Sequence, residues 1–266
     1  NPMQSLFPVL DPAGAIGLAE RGLMLHAVEF MLIVAIPVYL LLFFFAYRYR
    51  KGNKKAKYTP DWEHGKLEEL VWWVIPLEIV LVLGALTWSS THQLDPKKAL
   101  EGEAPLQVQV VSLNWKWLFI YPSLDIATVN YVVIPTNKPV QFSITADAPM
   151  NSFWIPQLGG QIYAMTGMTT TLNLVANDAG TYAGTAANYS GDGFAKMKFA
   201  ARALPASDFD AWVADIKSGT STLGYSEYQA LARPGVVGRT QYAAAQPGLF
   251  DAIVMRYMDA VSPIHH

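Results

Sequence analysis

The 266-residue chain contains no cysteine. That excludes disulfides and every metal centre built on thiolate ligands, whatever the redox compartment. Charge is also scarce: 15% of residues are charged, against roughly a quarter in an ordinary globular protein. The net charge of -2 provides no electrostatic footprint for nucleic acid. Histidine occurs five times, at His26, His64, His92, His265 and His266, and apart from the terminal pair no two have ligand spacing. No nucleophile–base pair, phosphate-cradling glycine loop or pair of catalytic carboxylates is present, so no catalytic set and no metal set are expected in this chain. The first residue is Asn1 and no signal-peptide apolar region is visible; a processed export signal would fit an N-terminus outside the cell membrane.

Apolar residues make up 52% of the sequence, and two long runs account for the excess. Phe30 to Tyr47 is 18 residues without a formal charge, and the run extends back to Gly22 if Glu29 is admitted. A hydrocarbon core of about 30 Å takes about 20 apolar residues in a helix, so this run is long enough to cross. Pro37 predicts a kink that neighbouring helices would tolerate. The second run, Leu70 to Ser90, carries a single charge, Glu78, and places Trp72, Trp73 and Trp88 near its ends, where amphipathic rings favour the interface. Between the runs stand Arg48, Arg50, Lys51, Lys54, Lys55, Lys57 and Lys66. This basic connection reads as a topological anchor, predicting a cytoplasmic loop at 48–66 and both termini outside.

From Leu106 the periodicity changes to short β-branched runs at 107–111, 132–134, 140–144 and 169–175, separated by Pro135-Thr136-Asn137-Lys138-Pro139, Asp147-Ala148-Pro149 and Asn177-Asp178-Ala179-Gly180. This pattern predicts an antiparallel sandwich or barrel. After Leu204 a helical period returns. Phe209, Trp212, Val213 and Ile216 mark one helix with Gly219 as its stop. A second is predicted to start at Ser226, capped reciprocally with Gln229, and to end before Pro234; Phe250, Ile253, Val254 and Tyr257 mark a third. The expected layout is an N-terminal segment 1–21, a transmembrane hairpin 22–90, a β domain 91–203 and a helical segment 204–266. No repeats or low-complexity segments occur.

The order of several short motifs completes the reading. Trp115-Lys116-Trp117 is followed by Phe119-Ile120-Tyr121-Pro122 and Ile126-Ala127-Thr128-Val129-Asn130. Met150-Asn151-Ser152-Phe153, Ile155-Pro156, Gln161-Ile162-Tyr163-Ala164-Met165 and Ala187-Asn188-Tyr189-Ser190-Gly191 come next. In this order, behind a two-helix hairpin, they make the chain resemble subunit II of the haem-copper oxidases, in the branch of the bacterial cytochrome bo-type ubiquinol oxidases. The resemblance implies a membrane-anchored α+β protein whose outer domain is cupredoxin-like. It also implies a vestigial copper site. The family's copper loop reads Cys-x-Glu-x-Cys-x-x-x-His-x-x-Met, with a further histidine upstream. Counted back from Met197, the cysteines fall on Ala186 and Ser190, the glutamate on Asn188 and the histidine on Phe194, with the upstream histidine at Asn151. Only Met197 is retained, which predicts that the copper centre is lost. The lipidated cysteine usual near the start of the family is not in this chain.

The same resemblance gives places to Trp115 and Glu69, and none to Glu29 and Glu78. Trp115 occupies the electron-entry position of cytochrome c oxidases; without copper behind it, packing is the expected role. Met165, Met168 and Met197 read as gap-filling core methionines rather than a copper(I) site. Glu69, seven residues before Pro76, matches a glutamate at the mouth of a proton channel into subunit I. Glu29 and Glu78 are expected to make polar contacts with a neighbouring subunit, since charge within hydrocarbon is costly. The implied protein is a cofactor-free subunit of a proton-pumping quinol oxidase in the bacterial inner membrane. Its expected partners are subunit I, holding the haems and copper, subunits III and IV, membrane lipid, and ubiquinol as substrate of the complex. The rival readings are a copper-carrying subunit II of a cytochrome c oxidase and a free-standing membrane-anchored binding module.

Overall fold

A computed structural model describes residues 7–53, 55, 65–98, 100 and 103–258. The chain divides into two compact units: Gly22–Asp95, and Asn1–Arg21 together with Pro96–His266. Lys54, Lys57, His64, His265 and His266 lie outside the described residues.

Two helices dominate the first unit, α1 (Ala15–Arg48), whose first turns belong to the second unit, and α2 (Lys66–Gln93). Both are long and apolar enough to cross a membrane, and neither apolar run is buried within the chain. The helices outrun the apolar segments at both ends, because apolar character marks only the part suited to hydrocarbon while helical hydrogen bonding continues into polar sequence. Glu68 and Glu69 occupy the first turn of α2 and Arg48 the last turn of α1. Each complements the local end of the helix dipole.

The second unit is a two-layer β-sandwich with an appended arm. Its strands are β1 (Leu106–Leu113), β2 (Lys116–Tyr121), β3 (Ile126–Val129), β4 (Tyr131–Pro135), β5 (Val140–Ala146), β6 (Asn151–Trp154), β7 (Ile162–Ala164), β8 (Thr170–Leu174), β9 (Gly180–Ala186) and β10 (Lys198–Leu204). The arm contributes α3 (Ala206–Lys217), β11 (Thr222–Leu223), α4 (Tyr225–Ala232), β12 (Thr240–Tyr242), β13 (Ala244–Ala245) and α5 (Leu249–Met258). One sheet has the order β12-β3-β2-β1-β5-β8 and the other β4-β10-β9-β6-β7. The expectation of a purely antiparallel sandwich is corrected here. β1 pairs with β5, and β10 with β4, in parallel. Parallel neighbours need a crossover, and the intervening strands of each connection supply it.

All six residues of β2 are buried, and strand geometry explains why. Alternate side chains point to opposite faces. Trp117, Phe119 and Tyr121 enter the core between the sheets, with Phe142, Phe153 and Phe199. Phe153 and Phe199 stack there at 5.0 Å. Leu118 and Ile120 face outward, yet Tyr228, Leu249, Phe250, Ile253 and Val254 of the arm cover them. The tail is therefore not merely a set of helices: it covers the outer face of one sheet and adds β12 to the edge of that sheet beside β3. The cap of α4 also differs from expectation. Gly224 is the N-cap and its N–H donates to Glu227 Oε2 at 3.1 Å; Glu227, at the third helical position, can reach back to that N–H, which Gln229 in the second turn cannot.

The N-terminal segment joins the sandwich as well. The Ala13 N–H donates to the Gln157 carbonyl at 2.8 Å, and the Asn177 N–H to the Ala13 carbonyl at 2.9 Å. A side chain at Gly14 would place Cβ 2.3 Å from the Val175 carbonyl oxygen, so this close approach of two backbones requires glycine.

Candidate functional site

Among the positions that the sequence aligns with copper ligands, Asn151, Ser190 and Met197 are brought together by hydrogen bonds. Asn151 opens β6, Ala186 closes β9, and Met197 precedes β10. Asn151 is 1% exposed. Its Nδ2 donates to Ser190 Oγ at 3.2 Å and to the Met197 sulfur at 3.1 Å, while its Oδ1 accepts the Ser152 N–H at 2.8 Å. Both amide protons are thereby used. Ala186 is buried, and its N–H donates to the Met197 carbonyl at 3.2 Å. Phe194 begins a 3-10 turn that presents Met197, and its ring packs on the sandwich core and edge-on to Tyr189. Asn188 is half-buried on the same loop and takes no part in the Asn151 hydrogen bonds.

Trp115 closes the cluster from the β1–β2 turn. Its backbone lies in the left-handed region, φ +66°, which is uncommon for a bulky residue and holds a side chain in a fixed direction. The indole Nε1 donates to the Ser190 carbonyl at 3.0 Å. The ring lies flat on Gly193, where an added Cβ would meet it at 2.3 Å. Trp115 thus packs on the loop, as expected. The methionines divide: Met197 is buried, Met165 half-buried and Met168 exposed. Met168 is a correction to the core assignment; it follows Gly167 in a polar turn outside β7, where no second layer covers it.

This donor set does not fit a dinuclear copper centre. It offers an amide, a hydroxyl and one thioether, where soft copper needs thiolates and imidazoles, and the thioether already accepts a hydrogen bond from Asn151. Among the described residues no group of three or more His, Cys, Asp or Glu side chains is placed to hold a metal ion.

A second polar cluster escaped the sequence reading. Asp147 is 8% exposed. Its carboxylate accepts from Tyr228 Oη at 2.5 Å, from the Tyr257 hydroxyl, and from Arg256 Nη1 at 3.4 Å. Burial, together with the adjacent carboxylate, pushes both tyrosines above their ordinary range. Lys116 is 2% exposed, and its Nζ donates to the carbonyls of Leu231 at 2.7 Å and Arg233 at 2.8 Å, at the end of α4. Burial pushes its ammonium below the usual lysine range. Asn130, at φ +59°, accepts the Trp117 N–H at 2.9 Å and donates to the Val237 carbonyl at 2.8 Å. All these side chains tie the arm to the sheet. The only sequence signal was a charged residue inside a run otherwise apolar, Lys116 between two tryptophans.

Glu69 is exposed, with its N–H bonded to the Gly65 carbonyl at 2.9 Å. Glu68 instead folds back against Gly65. Glu29 and Glu78 are exposed on their helices.

The sandwich thus joins Asn151, Ser190 and Met197 in one neutral, hydrogen-bonded cluster. The family model described as cytochrome c oxidase subunit II, periplasmic domain, matches residues 106–204, and the one described as COX aromatic rich motif matches residues 217–260. These two models place the sandwich and the arm in the class of oxidase second subunits. The chain is 49% identical over 261 residues to a cytochrome bo(3) ubiquinol oxidase subunit 2 of Pseudomonas putida, covering 97% of this chain and 83% of that one. It is 46% identical over 252 residues to a ubiquinol oxidase subunit 2 of Acetobacter aceti, covering 94% and 82%. A quinol oxidase subunit 2 of Bacillus cereus is 36% identical over 254 residues, covering 94% and 87%. The chain belongs to the family of ubiquinol oxidase second subunits.

Proposed function

We propose that this chain is a non-catalytic second subunit of a membrane quinol oxidase, holding no redox centre of its own. The observation that carries the reading is the Asn151–Ser190–Met197 cluster. Three positions that would hold copper in an electron-transferring relative are joined to each other by hydrogen bonds. Relatives 46–49% identical to this chain are named for quinol, a donor dissolved in the membrane, for which no soluble donor has to be received at the sandwich. In the complex, subunit I would hold the haems and copper, oxidise ubiquinol and reduce oxygen to water, with subunits III and IV completing the assembly.

The rest of the chain fits a supporting role in the inner membrane. α1 and α2 cross the bilayer with the basic connection on the cytoplasmic side and the sandwich outside. Their exposed apolar faces meet lipid and a neighbouring subunit, and Glu29 and Glu78 find polar partners there. Helices in lipid associate through close packing and polar contacts. Glu69, at the cytoplasmic end of α2, raises local proton availability at a channel entrance into subunit I.

Purification of the full chain in mild detergent, followed by a haem spectrum, metal analysis and a quinol oxidase assay, tests the reading. Haem-bearing partners and quinol-dependent oxygen uptake are expected, with no copper assigned to this chain. Charge-transfer colour from copper in the sandwich would favour the cytochrome c oxidase reading, and a haem-free preparation a free-standing binding module. Within an active complex, Glu69→Ala is expected to slow turnover with haem content retained. Glu68→Ala, rotated about 100° around the helix, is expected to leave turnover unchanged. Equal turnover in both variants removes Glu69 from the proton path.

A further inference from the structure

We propose that the turn following α1 is a binding site for the phosphate-bearing headgroup of an anionic phospholipid. The chain does not trail away after Arg48. Asn53 Nδ2 donates to the Arg48 carbonyl at 2.6 Å, capping the end of α1, and the Asn53 N–H donates to the Arg50 carbonyl at 2.9 Å. The Lys55 N–H then donates to Asn53 Oδ1 at 3.0 Å. One asparagine therefore bonds back to Arg48 and forward to Lys55, in a turn whose described residues include Arg48, Arg50, Lys51 and Lys55. The ion pairs found among the described residues are Lys138–Glu103 and Arg256–Asp147, and neither involves these four cations. Complementing the helix end accounts for Arg48 in the last turn. The three cations beyond it suit a topological anchor, which needs their charge but no particular arrangement of them.

Arg50 shows how the cluster would grip its ligand. Its guanidinium lies 4.3 Å from the centre of the Tyr47 ring. A guanidinium drawn to an aromatic face by cation–π attraction still has N–H donors to offer, and its planar fork matches two phosphate oxygens at once. Tyr47 and Tyr49 are exposed, and Tyr49 stacks on Phe45. Together they form an aromatic collar at the point where the apolar run stops, which is the depth of the headgroups. The exposed side chains of Leu41, Leu42, Phe44 and Phe45 on α1 continue from the collar. They would lie along the acyl chains of a lipid but give a free phosphate nothing to contact. That continuity selects a lipid as the source of the phosphate. The inference rests on α1 crossing the membrane, and stands whichever side the loop faces and whichever complex the chain joins.

The test is the relative association of phosphatidylglycerol over phosphatidylcholine with the full chain, in vesicles containing equal amounts of both, read by lipid mass spectrometry without any turnover assay. Two variants are compared. Arg48→Gln with Arg50→Gln removes two cations and is expected to cut the preference by about fivefold per arginine. Arg50→Lys with Tyr47→Leu keeps the loop charge, and so the topology, while removing the stacked fork; it is expected to cut the preference by about fivefold. Losses in both variants support the site. Wild-type preference in both overturns it. A loss confined to the neutralised variant overturns the built site and leaves diffuse attraction to the membrane surface. Displacement of the lipid by millimolar inorganic phosphate overturns the lipid assignment in favour of a free anion.

Discussion

Two polar clusters sit at opposite ends of one short segment, Asp147 to Asn151, and they solve burial in different ways. Around Asn151 every group is neutral, and the amide satisfies itself on a hydroxyl, a sulfur and a backbone N–H. Around Asp147 a full charge is buried, and donors brought from α4 and α5 surround it. A neutral hydrogen bond contributes about 1 kcal/mol net, whereas stripping donors from a buried charge costs several times that. The loop around Asn151 is therefore replaceable packing, while the arm depends on its anchors. The place that would carry chemistry in a copper-bearing relative is energetically mild here, and the demanding site is structural.

That contrast breaks most sharply at Asp147. Asp147→Ala leaves the buried Tyr228 hydroxyl without its acceptor and releases Tyr257 and Arg256. The expected loss is about 3 kcal/mol, read as a fall in the thermal midpoint and as new proteolytic cleavage between residues 217 and 258. An unchanged midpoint would mean that apolar cover alone holds the arm.

Alkaline pH should attack the same anchor. Tyr228 and Tyr257 are raised in the folded state, so the unfolded chain ionises first. Their contribution is complete below about pH 10, the ordinary tyrosine value, and is lost as pH rises above it. Lys116 runs the other way: its folded value is lowered, so its contribution improves as pH rises toward the ordinary lysine range. Denaturation midpoints measured from pH 8 to 11 should therefore fall above pH 10, and Tyr257→Phe should flatten that fall.

Lys116→Met is expected to cost less, about 1–2 kcal/mol. The methionine fills similar volume, while the two carbonyls at the end of α4 lose a charged donor. Chemical denaturation measures it. A cost equal to that of Asp147→Ala would show that the two anchors act as one network.

The smallest effect is expected at Ser190→Ala, about 0.5 kcal/mol, because Asn151 retains Met197 and the Ser152 N–H as partners. A loss of several kcal/mol there would refute the picture of mild packing.

Much of the architecture was readable in the chain. The two spans follow from uninterrupted apolar length, and the strands from 106 onward follow from β-branched alternation. Of the aligned positions, Asn151, Ser190 and Met197 are joined by hydrogen bonds in the fold, a meeting that residue spacing alone could place but not describe. The arm was less readable. Thr240–Tyr242 and Ala244–Ala245 have little strand character of their own and become strands only beside β3 and β11. Asp147 looked like turn punctuation because Asp-Ala-Pro is a turn sequence, and its partners lie about 80 and 110 residues away in the chain.

By itself the sequence determined what cannot form and what must be buried or immersed: no thiolate centre, two membrane-length helices and a β domain. Those conclusions rest on residue chemistry and on short-range periodicity, which operate within a few residues. The tertiary structure alone decided that Asn151 would spend both its amide protons on Ser190 and Met197, and that Trp115 would lie on Gly193. It alone decided, too, that a buried aspartate and a buried lysine would hold the arm across the outer face of β2. Such pairings join residues tens to more than a hundred positions apart, and no local pattern encodes a partner at that distance.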